Sequence, residues 1–545
     1  MRLVIAGPCI EASAVPVQTK AAESGIHGIV TRTVVSHRAD RADGIAMSSS
    51  AERAPASGAD PSARALFFTL FPSIMLPMFM AAVDQTIVAT ALPAIAGSLG
   101  DVERVSWVVV SYLVATTIAA PVYGRLGDVL GRRKLLFVAL GLFIVASLGC
   151  ALAPSVLLLT AARVLQGLGG GGLMTTSQAL VGEVVPPRER GRYQGYLASI
   201  FVASSTFGPV AGGWLTQQFG WPSVFLINLP LGVCAAVLAL RLPNTPGAGG
   251  RLQFDFAGVV LFAGFITPLL LALERLQSFD LASLPVVALL VGVSIASLLL
   301  LLRQERRAAS PLLPLHLLRQ PAIWRCDLMA ACVGAMLVGM VTFVPIWLQV
   351  VRGIGPSQVG LMLLPMTAGI AFGSMFTGRM MAITQRTAIF PSIGLAITIS
   401  ALLVLAFAAP HLSNTAVPVL FVVYSVSIGT AMPVVQLTVQ LVAGRSNLGA
   451  AAASVQFSRS VGAAFGTAAV GAVLFAVLAA TDRGTATMFS DMVERGPVAM
   501  NALDAAHRAV VSAEIRDAFR SAFLAIAAIG GLGLTMAWTI PLRRM

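Results

Sequence analysis

Residues 124–134 read GRLGDVLGRRK: four basic side chains, one aspartate and three glycines, set between two long stretches with almost no charge. Each flanking stretch has the ~20 apolar residues needed to cross a ~30 Å hydrocarbon core. A compact charged loop between them marks a turn at a membrane face, and its arginines alone would serve as an anchor on the side where positive charge collects. The glycines ask for more. Gly124, Gly127 and Gly131 allow a tight bend and close contact of helix ends, and Asp128 suits a helix N-terminus whose free N–H groups need an acceptor. A degenerate second copy, GRMMAITQRT at 378–387, keeps the eight-residue spacing from glycine to arginine (Gly378 to Arg386, as Gly124 to Arg132) with Ala382 in place of Asp128. Such a repeat predicts two halves related by an axis along the membrane normal.

Composition agrees. Of 545 residues, 57% are hydrophobic and 11% are charged, against ~25% charged in soluble domains. Too few polar groups exist to cover a globular surface, so lipid is the main solvent. The net charge of +13 does not indicate nucleic acid, because the arginines are scattered through short loops rather than gathered on one face. Cys9, Cys150, Cys234, Cys326 and Cys332 form no CxxC pair and read as small hydrophobes. His27, His37, His316, His411 and His507 are dispersed, and no acid pair or metal-ligand spacing occurs. No metal and no cofactor are therefore expected, and a polytopic membrane enzyme is disfavoured. Lys20 and Lys134 are the only lysines, which points to a GC-rich, bacterial genome.

Residues 1–65 are polar and aperiodic and read as a disordered tail. Within it MSSSAERAPASG from Met47 resembles a natural start, so 1–46 reads as an upstream extension. From there apolar segments recur at 67–91, 105–123, 135–153, 156–180, 194–217, 223–240, 256–274, 283–302, 326–348, 357–378, 389–408, 416–440, 452–478 and 520–541. These predict an all-α polytopic protein with fourteen transmembrane helices, since a spanning chain must satisfy its backbone internally. The expected domains are an N-terminal six-helix bundle (66–240), two linking helices with their loops (241–325), and a C-terminal six-helix bundle (326–545). A long outside loop near 479–519 includes an amphipathic helix, NALDAAHRAVVSAEIRDAF. Arginine-rich connections after helices 2, 4 and 8, against bare ones after helices 3 and 5, place both termini in the cytoplasm.

The 124–134 loop closely resembles the signature between helices 2 and 3 of the major facilitator superfamily. VDQTIVATALPAI (83–95), WVVVSYLVA (107–115), LTAARVLQGLGGG (159–171), GPVAGG (208–213), FLINLPLG (225–232) and LQVVRGIGPSQVGLMLLP (348–365) resemble its fourteen-helix drug:proton antiporter branch, over roughly 66–545. Ser204 departs from the glycine usual before GPVAGG. The resemblance implies a multi-pass protein of the bacterial inner membrane, driven by the proton gradient, that exports lipophilic drugs or toxic compounds. Its implied partners are small lipophilic molecules, protons, the bilayer and a candidate periplasmic adaptor. Export of one endogenous metabolite, such as a lipid precursor, siderophore or antibiotic, fits the same motifs.

Asp84 and Arg163 are ionisable groups deep in apolar helices, and such groups are functional candidates by default. At ~1.5 Å per residue their depths allow contact, and the resemblance places both helices at a central cavity. A buried carboxylate beside a cation sits between desolvation, which favours the neutral form, and the cation, which favours the charged one. That balance suits proton coupling; a static ion pair is the alternative. By resemblance Gly124, Gly127, Asp128, Gly131, Arg132 and Arg133 form a conformational switch loop, in which Asp128 locks the cytoplasmic ends of an outward-facing state by pairing with basic groups of neighbouring helices. Gly208, Pro209, Gly212 and Gly213 form the antiporter motif. Thr86, Tyr112, Gln166, Asn228, Gln349 and Arg459 are candidate cavity-lining residues, although pairing with backbone carbonyls accounts equally well for Arg459. GLGGGGL (167–173) reads as close helix packing, not a phosphate loop, since no Lys-Ser/Thr follows.

Overall fold

A computed structural model describes residues 61–100, 104–244, 247, 255–277, 284–308, 311–312, 315–482, 484–485, 488–489, 492 and 505–541. Residues 59–545 cluster as one unit. The tail expected over 1–65 lies outside the described residues up to 60, and residues 61–65 are already helical.

The first half comprises α1 (Pro61–Leu99), α2 (Trp107–Leu130), α3 (Arg132–Ala151), α4 (Val156–Val184), α5 (Pro187–Phe219), the single turn α6 (Ser223–Leu226) and α7 (Asn228–Ala239). Then come α8 (Phe256–Gln277) and α9 (Leu284–Arg307), which pack as a pair beside α2. The short α10 (Leu315–Leu318) leads into α11 (Pro321–Val350), α12 (Pro356–Thr384), α13 (Ile389–Ala408), α14 (Ala416–Gly429), α15 (Ala431–Ala443), α16 (Leu448–Thr481) and α17 (Ala505–Thr539). Each half has its own apolar core: Phe71, Leu136, Phe143 and Leu180 in the first, and Met336, Trp347, Tyr424 and Phe523 in the second.

Twelve helices among the described residues are long and apolar enough to cross a membrane. The two other expected spans are also helical. The 194–217 segment lies in α5, whose first turns are polar, and the 223–240 segment is broken at Ile227, which starts α7 at Asn228. A second break at Thr430 divides the expected 416–440 span, the threonine hydroxyl donating to the Ser427 carbonyl at 2.7 Å. The expected amphipathic helix before 520 is no separate element: from Ala505 it runs unbroken into the last apolar span as α17.

The glycine run of α4 packs helices. A Cβ on Gly167 would lie 2.7 Å from the Tyr112 carbonyl of α2, one on Gly169 2.8 Å from the Phe143 amide of α3, and one on Gly172 2.6 Å from the Tyr123 ring. Small residues substitute for hydrophobic driving force where lipid tails compete for every apolar surface.

Candidate functional site

Asp84 sits at the centre of the first half, fully buried with Arg163. Its Oδ2 accepts from Arg163 Nη1. Its Oδ1 accepts from Gln166 Nε2 and from Asn228 Nδ2, each at 2.9 Å. Arg163 donates further to the Val108 carbonyl at 3.0 Å and to Gln166 Oε1 at 2.7 Å, and its guanidinium lies 4.1 Å from the centre of the Tyr112 ring. Ser147 accepts from Gln166 at 2.8 Å, and Tyr112 closes the group by donating to the Ala81 carbonyl at 3.1 Å. Four donors and acceptors arranged this way let a membrane interior hold two charges that would otherwise be prohibitively costly. The motif spacing made this legible: Arg163 and Gln166 stand three residues apart on one face of α4.

A second group joins the halves at the 124–134 end. Asp128 binds Arg132 at 2.5 Å and accepts from the backbone amides of Gly449 at 2.9 Å and Ala450 at 3.2 Å, in the first turn of α16. Those amides have no intrahelical partner, and the helix dipole favours a carboxylate there. The basic partner is Arg132, which opens the neighbouring helix α3, while the contact across the seam is to a helix N-terminus rather than to a second basic group. Arg132 also binds Glu183 at 2.5 Å and donates to the Arg445 carbonyl at 3.3 Å. Arg133 instead donates to the Leu240 carbonyl at 2.9 Å, within the first half. The glycines divide the work. Gly131 has φ +96°, which disfavours any side chain. A Cβ on Gly124 would lie 2.6 Å from the Gly449 carbonyl, whereas Gly127 has room. The second copy repeats that contact, with Gly378 of α12 against Gly191 of α5.

Removing the Asp128 carboxylate should loosen this end. Asp128→Ala is expected to raise deuterium uptake at the Gly449 and Ala450 amides about tenfold, matching the loss of ~1–2 kcal/mol of helix capping. Hydrogen–deuterium exchange of a peptide covering 445–455 measures it.

Beyond that seam a cavity of about 750 Å³ separates the halves. Its lining includes Gln178, Gln194 and Pro209 from the first half, and Met366, Gln436 and Arg459 from the second. Gln178 and Gln436 hydrogen-bond to each other across the seam, and Gln440 donates to the Gln178 carbonyl at 3.3 Å. Two of its lining residues, Val210 of α5 and Leu361 of α12, are 70% and 66% exposed, so the cavity reaches the surface beside these helices.

Of the six candidate cavity residues, Arg459 alone lines this space. Tyr112, Gln166 and Asn228 are consumed in the Asp84 group, Thr86 donates to the Ser204 carbonyl at 2.9 Å and joins α1 to α5, and Gln349 near the end of α11 is not in the lining. Gly208 and Gly212 admit Thr86 and Thr90 of α1, Gly213 faces open space, and Pro209 faces the cavity. The carboxamides at 178, 194, 436 and 440 escaped sequence reasoning, because a glutamine in an apolar helix carries no charge or spacing signal; their burial in one place identifies them.

A model of the Major Facilitator Superfamily matches residues 74–467. The chain is 36% identical over 405 residues to a Mycobacterium tuberculosis (strain ATCC 25618 / H37Rv) protein named uncharacterized MFS-type transporter Rv1877, covering 74% of this chain and 59% of that one. It is 30% identical over 413 residues to multidrug transporter protein MdtP of Bacillus subtilis (strain 168), covering 74% and 75%. The solved proton:xylose symporter XylE shares the fold, with a TM-score of 0.59 at 12% identity over 88% of this chain and 96% of that one. A family model spanning most of the helical unit, and a fold shared with a solved member, establish that this chain belongs to the major facilitator superfamily.

Proposed function

We propose that this transporter is a proton-coupled antiporter exporting lipophilic compounds across a bacterial cytoplasmic membrane, with both termini and the 124–134 loop in the cytoplasm. The single observation that carries the reading is the buried Asp84–Arg163 group and its mechanical link to the cavity wall. Two residues beyond Asp84, Thr86 is bonded to the Ser204 carbonyl of α5 and packed on Gly208, whose neighbour Pro209 lines the cavity. Protonating Asp84 removes the charge that holds α1 to α4 and α7, so α1 is free to carry α5 with it. Cargo in the cavity pushes the same wall the other way. A carboxylate on α1 held by α4 and α7, and a wall that moves with it, give the two sites opposite preferences, which is what exchange requires. The name of MdtP, a multidrug transporter, supports the broad cargo class.

The test uses inverted membrane vesicles carrying a pH-sensitive dye. After energisation, addition of a lipophilic substrate is expected to release protons from the vesicle lumen. Release by a single metabolite class alone favours the narrow exporter, and a response independent of the proton gradient contradicts the proposal.

A further inference from the structure

The cavity holds one ionisable side chain among its lining residues, and it is a cation. Arg459 stands eleven residues into α16, ~17 Å from the helix start. Its neighbours among the described residues are few: Nη2 donates to Gln456 Oε1 at 3.0 Å, and the guanidinium lies 4.6 Å from the centre of the Phe201 ring. No carboxylate pairs with it among the described residues, and the backbone-carbonyl pairing that would make it structural is absent from its contacts there. Asp327 of α11 takes its hydrogen bond from Ser454 instead. The backbone at Arg459 is fixed, since a Cβ on Gly334 of α11 would strike the Arg459 carbonyl, so the side chain has a rigid base.

A guanidinium at membrane depth with one neutral acceptor and one ring face is under-compensated. Arg163, in the same protein, shows what compensation looks like: a carboxylate, a carboxamide and a carbonyl. The rest of the cavity is apolar apart from hydroxyls and carboxamides, and the Gln194 Nε2 donor on its wall is buried without a partner. Arg459, the Gln194 donor and one unpartnered acceptor, Gln436 Oε1, face a largely apolar space with no acidic group, which reaches the surface beside α5 and α12.

We propose that the cavity is built for anionic amphiphiles: compounds with an apolar body and a carboxylate head that Arg459 binds. This rests on the export reading above and narrows its cargo. The carboxylate supplies the missing partner of the guanidinium, while the apolar walls take the body. A lipophilic cation of the same skeleton meets Arg459 as a like charge.

The full chain in lipid nanodiscs tests this by equilibrium binding of three probes on one skeleton: 1-naphthaleneacetate, 1-naphthaleneacetamide and 2-(1-naphthyl)ethylamine. The acetate should bind at least about tenfold more tightly than the amide, and the amine most weakly. Arg459→Gln should abolish the preference while changing amide affinity by no more than about twofold, and Arg459→Lys should keep the preference. Equal binding of acetate and amide by the wild type overturns the proposal, as does no acetate binding at all, tightest binding of the amine, or loss of every probe in both variants. Because binding needs no proton gradient, failure of antiport and failure of this selectivity are read separately.

Discussion

Asp84→Asn is expected to abolish proton-driven export and to destabilise the protein, and the two losses should come apart in a double variant. Asparagine keeps the shape of the side chain, so Gln166 and Asn228 retain a carbonyl oxygen to bind. It removes the charge opposite Arg163, leaving a buried guanidinium uncompensated. Breaking such a pair costs ~3–5 kcal/mol, whereas removing both charges is far cheaper. Thermal melting of the purified protein should therefore fall for Asp84→Asn and recover largely in Asp84→Asn/Arg163→Gln. Vesicle transport should stay at background in both. Recovery of transport along with stability would mean that the pair only holds helices together.

The second large effect is at the glycine seam. Adding a methyl group at Gly124 or Gly378 sets it against a backbone carbonyl, of Gly449 or Gly191, that has no rotamer to yield. The halves must part at that end. Overpacking of this kind costs ~1–3 kcal/mol, which shifts a closed-to-open ratio by about tenfold or more. Spin-label distances between α2 and α16, and between α5 and α12, should lengthen in Gly124→Ala and Gly378→Ala, with transport reduced. Gly213→Ala, which meets nothing within 4 Å, is the control and should behave as wild type. The two seam contacts lie on different helix pairs, so their effects should add.

The spans were legible because hydrocarbon thickness sets their length, and the Asp84–Arg163 pair because two charges in greasy helices have few places to go. The repeat of the 124–134 loop foretold two halves, and its glycine contact recurs at Gly378. What the chain concealed was long-range. The amides that receive Asp128 lie 321 and 322 residues away and look like any others until α16 begins there. The breaks at Ile227 and Thr430 are announced only by a proline three residues on, Pro230 and Pro433, each inside an otherwise continuous apolar run. The unbroken α17 was misread because its amphipathic and apolar parts have different solvents but the same backbone. Thr86 and Gln349 look polar enough for a cavity, yet one is used between helices and the other lies away from the lining, while plain glutamines line the space.

The central claim is that Asp84 gains and loses the coupled proton. Infrared difference spectroscopy of the protein in lipid, on adding substrate, reads the carboxyl carbonyl band directly. The account predicts that substrate binding depletes a protonated-carboxyl band in the wild type, and that the change vanishes in Asp84→Asn. An unchanged band in the wild type, or the same band change in the variant, would contradict it.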